Sequence, residues 1–118
     1  MSLYVVEKLV GDVMLLDMRG QLILGPETAT LRDHLKHLLA KGYRRIVLDL
    51  WEVIYMDSVG ISTLVECCAV AQACGASIKL LRLNRRMIDL MRITRLSTVF
   101  EIHDTLERAI GSFGGASA

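Results

Sequence analysis

The residues best placed to do chemistry lie in the stretch YMDSVGIS, residues 55–62, where a strand-like run gives way to an almost uncharged one. Ser58 stands between Asp57 and a glycine two positions on, and three roles suit it: nucleophile, modification site or helix cap. A nucleophile needs a general base within hydrogen-bond reach and donors for the developing oxyanion. The G-x-S-x-G turn that exposes a hydrolase serine is only half present, because Met56 holds the first glycine position. The available imidazoles are His34, His37 and His103. Helical spacing turns His37 away from its leucine stripe, leaves His34 at the margin and puts His103 before the last helix. None is aimed at Ser58, so no enzyme activity is expected.

As a cap, Ser58 would accept a hydrogen bond from an N–H near Gly60 or Ile61, worth about 1 kcal/mol. The same position suits phosphorylation, since Gly60 is expected to leave a kinase's approach open. A phosphate adds about −1.5 to −2 charges and three acceptor oxygens. The helix dipole accommodates it locally, so its effect is expected at the surface. Beside Asp57 it would create an anionic spot able to repel a partner docked on an uncharged patch. The expected patch is the outer face of the helix over residues 59–74: Val59, Ser62, Thr63, Glu66, Cys67 and Val70. Its inner stripe is expected at Ile61, Leu64, Val65, Cys68 and Ala71.

Other constellations carry less. Cys67, Cys68 and Cys74 are odd in number, and adjacent cysteines on a helix point about 100° apart, so no disulfide is expected. Their spacing does not match a C-x-x-C zinc site, Cys68 belongs in the core, and a reducing cytoplasm fits. Asp33, His34 and His37 share a helix but find no further ligand. No metal or cofactor is expected. Lys79, Arg82, Arg85, Arg86, Arg92 and Arg95, broken only by Asp89, could meet an acidic partner or a phosphate, or could be a solvated helix face. No aromatic residue interleaves with them and the net charge is +1, which argues against direct nucleic-acid binding.

The elements that must position Ser58 follow from pattern. Leu3 to Val10 and Val13 to Met18 read as strands joined by the Gly11-Asp12 turn, and Arg19 to Gly25 as a looser segment. Pro26 opens a helix with Leu31, Leu35, Leu38 and Leu39 on one face, closed at Lys41-Gly42. Arg45 to Leu50 reads as a strand buried on both faces. After the helix over 59–74 come a strand from Ala76 to Leu83, a helix capped by Asn84 bearing Met87, Leu90 and Met91, and a strand from Val99 to Ile102. Asp104 is expected to cap a last helix to about Ile110. This alternation predicts an α/β fold: a mixed sheet with an N-terminal antiparallel hairpin, then parallel strands, and about four helices. In such sheets functional groups gather beyond the C-terminal ends of the strands, where Asp57 and Ser58 fall.

One domain over residues 1–111 is expected, with 112–118 a disordered tail. The N-terminus lacks the basic region of a signal peptide, and the most apolar segment, Val59 to Ile78, is interrupted by Glu66, Gln72 and Gly75. No membrane insertion is expected, and the chain is read as cytoplasmic.

The series IVLDLWEVIYMDSVGISTLV, followed by ACGASIKLLRLNRRMIDLMRITRLSTVFEIHDTLERAI, resembles the STAS domain, from about Tyr4 to Ile110. Its most specific part is Asp57-Ser58-x-Gly60-Ile61. The resemblance implies a bacterial anti-sigma-factor antagonist working by partner switching in the control of sigma factors and transcription. Its partners would be an anti-sigma factor that is also a serine kinase, which phosphorylates Ser58, and a phosphatase that resets it. Alternatively, the chain would be a STAS subunit of a transporter or multiprotein sensor, acting unmodified. The apolar helix face could also serve a homodimer. Two features depart from the family pattern. Many antagonists carry an acidic residue shortly after the Gly20-Gln21-Leu22 position, where this chain continues Ile23-Leu24-Gly25-Pro26, and Arg95 replaces a frequent glycine. If the backbone there needs positive φ, Arg95 must adopt it.

Overall fold

Val10 pairs with Val13 across a two-residue turn, and Gly11 takes the φ of +63° that such a turn requires. This hairpin joins β1 (Leu3–Val10) to β2 (Val13–Leu22) in a computed structural model that describes residues 3–96 and 100–113. There follow α1 (Pro26–Ala40), β3 (Arg45–Met56), α2 (Ser58–Ala73), β4 (Ser77–Leu81), α3 (Arg85–Ile93), β5 (Ile102–His103) and α4 (Leu106–Gly111). The strands lie in the order β1-β2-β3-β4-β5, the first pair antiparallel and the rest parallel. The expected mixed α/β sheet with four helices is therefore the fold.

Alternate residues of β3 feed two cores. Ile46, Leu48 and Leu50 join Leu31, Leu35 and Leu38 of α1, Leu64 of α2, and Met87 and Met91 of α3. Val47 points the other way, toward Val13, Leu15, Leu81 and Ala109 of α4. Three helices thus cover one face of the sheet and α4 part of the other. A fully buried Leu or Ile contributes about 1.5–3 kcal/mol, so β3, buried on both faces from Ile46 to Leu50, is the central beam.

Several boundaries differ from those expected. β2 runs on to Leu22 and β3 to Met56, because their pairing resumes after register shifts between Asp17 and Arg19 and between Gly20 and Gln21. Past the first shift Trp51 and Glu52 are both exposed, which breaks the alternation that would mark a strand. β4 is shorter than expected, and Arg82 just beyond it takes the left-handed φ of +56°. Among the described residues β5 pairs Ile102 and His103 with β4, and Val99, its expected start, lies outside them. Thr105, not Asp104, caps α4, accepting from the Arg108 N–H at 3.2 Å. Arg95 does adopt positive φ, +61°. Of the expected tail, Phe113 packs against the second core under the Lys79 ammonium, 5.1 Å from the ring centre, and Ser112 Oγ donates to the Ala109 carbonyl at 2.6 Å. Residues 114–118 lie outside the described residues.

The largest correction concerns α2. Its buried residues are Gly60, Ile61, Thr63, Leu64, Cys67 and Ala71, whereas Val65 and Cys68 are only half buried. The helix is rolled toward α1 relative to the expected stripe, so Cys67 replaces Cys68 in the core. Burial pushes the Cys67 thiol up to about 12 and the Cys68 thiol up to about 11. Cys74, at the end of the helix, is exposed. Titration of the native protein with an aromatic disulfide near pH 8 should therefore modify one thiol quickly and the other two only after denaturation. Rapid modification of two or three native thiols would show that α2 is seated differently.

Candidate functional site

Two carboxylate bonds fix the start of α2. Asp57, in extended conformation at the N-cap, accepts from the Gly60 N–H through Oδ1 at 2.8 Å and from the Leu24 N–H through Oδ2 at 3.0 Å. Its own N–H donates to the Leu22 carbonyl at 3.3 Å. The same aspartate thus closes the helix and ties it to the chain between β2 and α1. The bonds from Leu24 and then Gly60 hold its carboxyl below the ordinary value, because both favour the ionised form.

Ser58 is consequently not the cap. It is the first residue of α2 and is exposed. Serine and aspartate cap almost equally well, and the contact with Leu24, thirty-three positions away, favours the residue that can accept twice. Gly60 also has a role other than the expected one of leaving Ser58 open to approach. It is buried, and a Cβ there would stand 2.0 Å from the Leu22 carbonyl oxygen and 2.9 Å from Met56 Cγ. Glycine is required because the helix start presses on the backbone at the end of β2.

Of the six residues expected on the partner face, Ser62, Glu66 and Val70 are exposed and Val59 is half buried. Thr63 and Cys67 are buried, since α1 covers that side of the helix. Thr63 Oγ1 donates to the Val59 carbonyl at 2.8 Å. Arg32 of α1 donates to both Glu66 oxygens at 3.2 Å and reaches Thr63 Oγ1 at 3.5 Å. Glu66 is therefore held at the rim by a two-point ion pair with Arg32. The structure adds a surface residue that reading by periodicity missed: Leu24, whose amide is held by Asp57 while its side chain is 69% exposed. It sits in the segment read as a loose connection, and no local pattern marks it.

No imidazole is directed to Ser58. His34 Nδ1 pairs with Glu7 at 2.7 Å, His103 Nε2 pairs with Glu101 at 2.7 Å, and His37 is exposed beside Val5 and Glu7. Among the described residues no three His, Cys, Asp or Glu side chains gather to hold a metal, and no helix is long and apolar enough to cross a membrane.

Comparison with known proteins agrees with this fold. The STAS domain family model matches residues 4–109. A protein of Thermotoga neapolitana, named as a TM1081 homologue in the anti-sigma factor antagonist class, is 27% identical over 108 residues, 92% of this chain and 96% of its own. The crystal structure of TM1081 from Thermotoga maritima, described in the same class, superposes with a TM-score of 0.83 at 24% identity, covering 92% of each chain. The Bacillus cell fate determinant SpoIIAA in its phosphorylated form gives 0.70 at 17% identity, covering 94% of this chain and 100% of its own.

Asp57→Ala should cost about 1–2 kcal/mol at neutral pH, the upper end of a cap's worth because a tertiary bond is lost with it. The folded carboxyl titrates below its ordinary 3.8, so its stabilisation is complete above that value and fades as pH falls through the lower folded one. The gap between wild type and Asp57→Ala in urea unfolding should be flat near neutrality and narrow below about pH 4. A gap indifferent to acid would remove the charge from the account. Gly60→Ala should be destabilised more than Asp57→Ala, since the atom it meets is backbone.

Proposed function

The chain belongs to the STAS domain family, and from that membership we propose that it is an anti-sigma-factor antagonist switched by phosphorylation of Ser58. The unmodified protein binds an anti-sigma factor that is also a serine kinase and so frees a sigma factor for transcription. The kinase transfers the γ-phosphoryl group of ATP to Ser58 Oγ: the Oγ–P bond forms, the bond to the β-phosphate oxygen breaks, ADP leaves, and the hydroxyl proton passes to the kinase. A phosphatase restores the hydroxyl. All of this takes place in the cytoplasm.

The observation that carries this reading is the division of labour at the start of α2. Asp57 and Gly60 are locked to the backbone of residues 22–24, while Ser58 between them is exposed and outside those bonds. A phosphate on Ser58 meets the positive end of the α2 dipole, so the helix tolerates it. It also places about two negative charges beside Asp57, on a face where Leu24, Val59, Ser62 and Val70 are uncharged and Glu66 is paired with Arg32. A partner seated on that surface must then desolvate and face the new charge, which lowers affinity without unfolding the antagonist.

Incubation with ATP and an anti-sigma kinase should place phosphate on Ser58 and none on Ser58→Ala. Ser58→Asp, with part of the phosphate's charge, should weaken kinase binding by about tenfold or more, roughly 1.4 kcal/mol. Unchanged binding by Ser58→Asp together with modification at another residue would overturn the proposal.

A further inference from the structure

A second feature lies outside the switch. Between the end of β3 and α3 runs a groove of about 710 Å³, walled by Tyr55 and Met56 on one side and by Leu90 and Ile93 on the other. Arg85 and Arg86 stand at its rim, with Asp89 as the one acidic residue lining it. We propose that this groove docks an amphipathic helix with an acidic polar face, presented by a second protein.

Burial on α3 leaves apolar side chains uncovered. α3 turns Met87 and Met91 into the core, which accounts for one side of the helix. Ile93 on the other side is nonetheless 80% exposed and Tyr55 47%, and both border the same concavity. Apolar side chains spaced i, i+3, i+4 and i+7 on a partner helix fill such a groove.

The polar part is charge. The whole chain carries a net charge of only +1, yet α3 and its flanks hold Arg82, Arg85, Arg86, Arg92 and Arg95 against Asp89. Arg82 is engaged by buried Asp49. Arg85 meets Asp89 only at 3.9 Å, with its side chain 92% exposed, and an exposed pair at that distance holds it weakly. Arg85 can therefore turn to a carboxylate across the groove, and Arg86 is already exposed beside it. A net charge of only +1 gives no field to draw a nucleic acid, and a concave wall suits a helix better than a flat bilayer. The chemistry accordingly favours an acidic amphipathic helix over a nucleic acid or a lipid surface.

The test uses the full chain, isotopically labelled for amide NMR, and a synthetic helix with leucines at i, i+3, i+4 and i+7 and glutamates on its polar face. Amide shifts should change at residues 55–56 and 85–93, with a scrambled peptide of the same composition binding at least about tenfold more weakly. Ile93→Asp and Arg86→Glu should each weaken binding by at least about tenfold with unchanged far-ultraviolet dichroism, whereas Lys36→Glu on α1 should not. Equal response to the scrambled peptide, or shifts confined elsewhere, would overturn the proposal. So would no shift with the peptide while an oligodeoxynucleotide or phosphatidylglycerol vesicles perturb α3.

Discussion

The carboxylate of Asp57 is the constraint on which the rest of the site depends. It closes the first turn of α2 through the Gly60 N–H and, with its other oxygen, holds the Leu24 N–H of the β2–α1 connection. These bonds join two crossovers of the parallel sheet at the C-terminal ends of β2 and β3, where strand pairing stops at Leu22 and Met56. The Leu22 carbonyl completes the junction, accepting from the Asp57 N–H and leaving no room for a side chain at residue 60. Removing the aspartate would leave two backbone donors seeking water; adding a methyl at Gly60 would force the helix off the strand.

This rigidity leaves Ser58 outside the fastening of the fold, so the phosphorylation proposed there would act on a partner and not on the fold. The serine contributes its backbone to the helix and its hydroxyl to solvent, while the residues before and after it do the fastening. Arg32 extends the same logic, anchoring Glu66 one helical turn beyond Ser62 so that the rim charge is fixed in place. A partner docking there, as proposed, would meet a largely pre-formed patch and lose little entropy on binding.

Much of the fold was legible because local signals were strong and agreed with one another. The leucines of α1, the Gly11-Asp12 turn, the RIVLDL strand and Asn84, whose side chain does accept from the Met87 N–H at 2.9 Å, each state their role within a few residues. The site was legible in part. Its motif marks Asp57, Ser58 and Gly60, but the structural roles of Asp57 and Gly60 depend on Leu22 and Leu24, which are distant in sequence. The roll of α2 was hidden for a different reason: the helix is apolar nearly all round, so periodicity cannot say which side α1 and the sheet will cover. The lengths of β2 and β3 were hidden by register shifts, beyond which inside and outside no longer alternate.

A charge switch at Ser58 requires the Asp57 junction to stay intact while the charge changes. Hydrogen exchange of the Leu24 and Gly60 amides, compared between the bare protein and the protein phosphorylated on Ser58, tests this most directly. Both amides should remain protected to a similar degree in the two forms, with shift changes limited to their neighbourhood. Loss of protection at either amide on phosphorylation would mean that the switch works by opening the junction, and would contradict it.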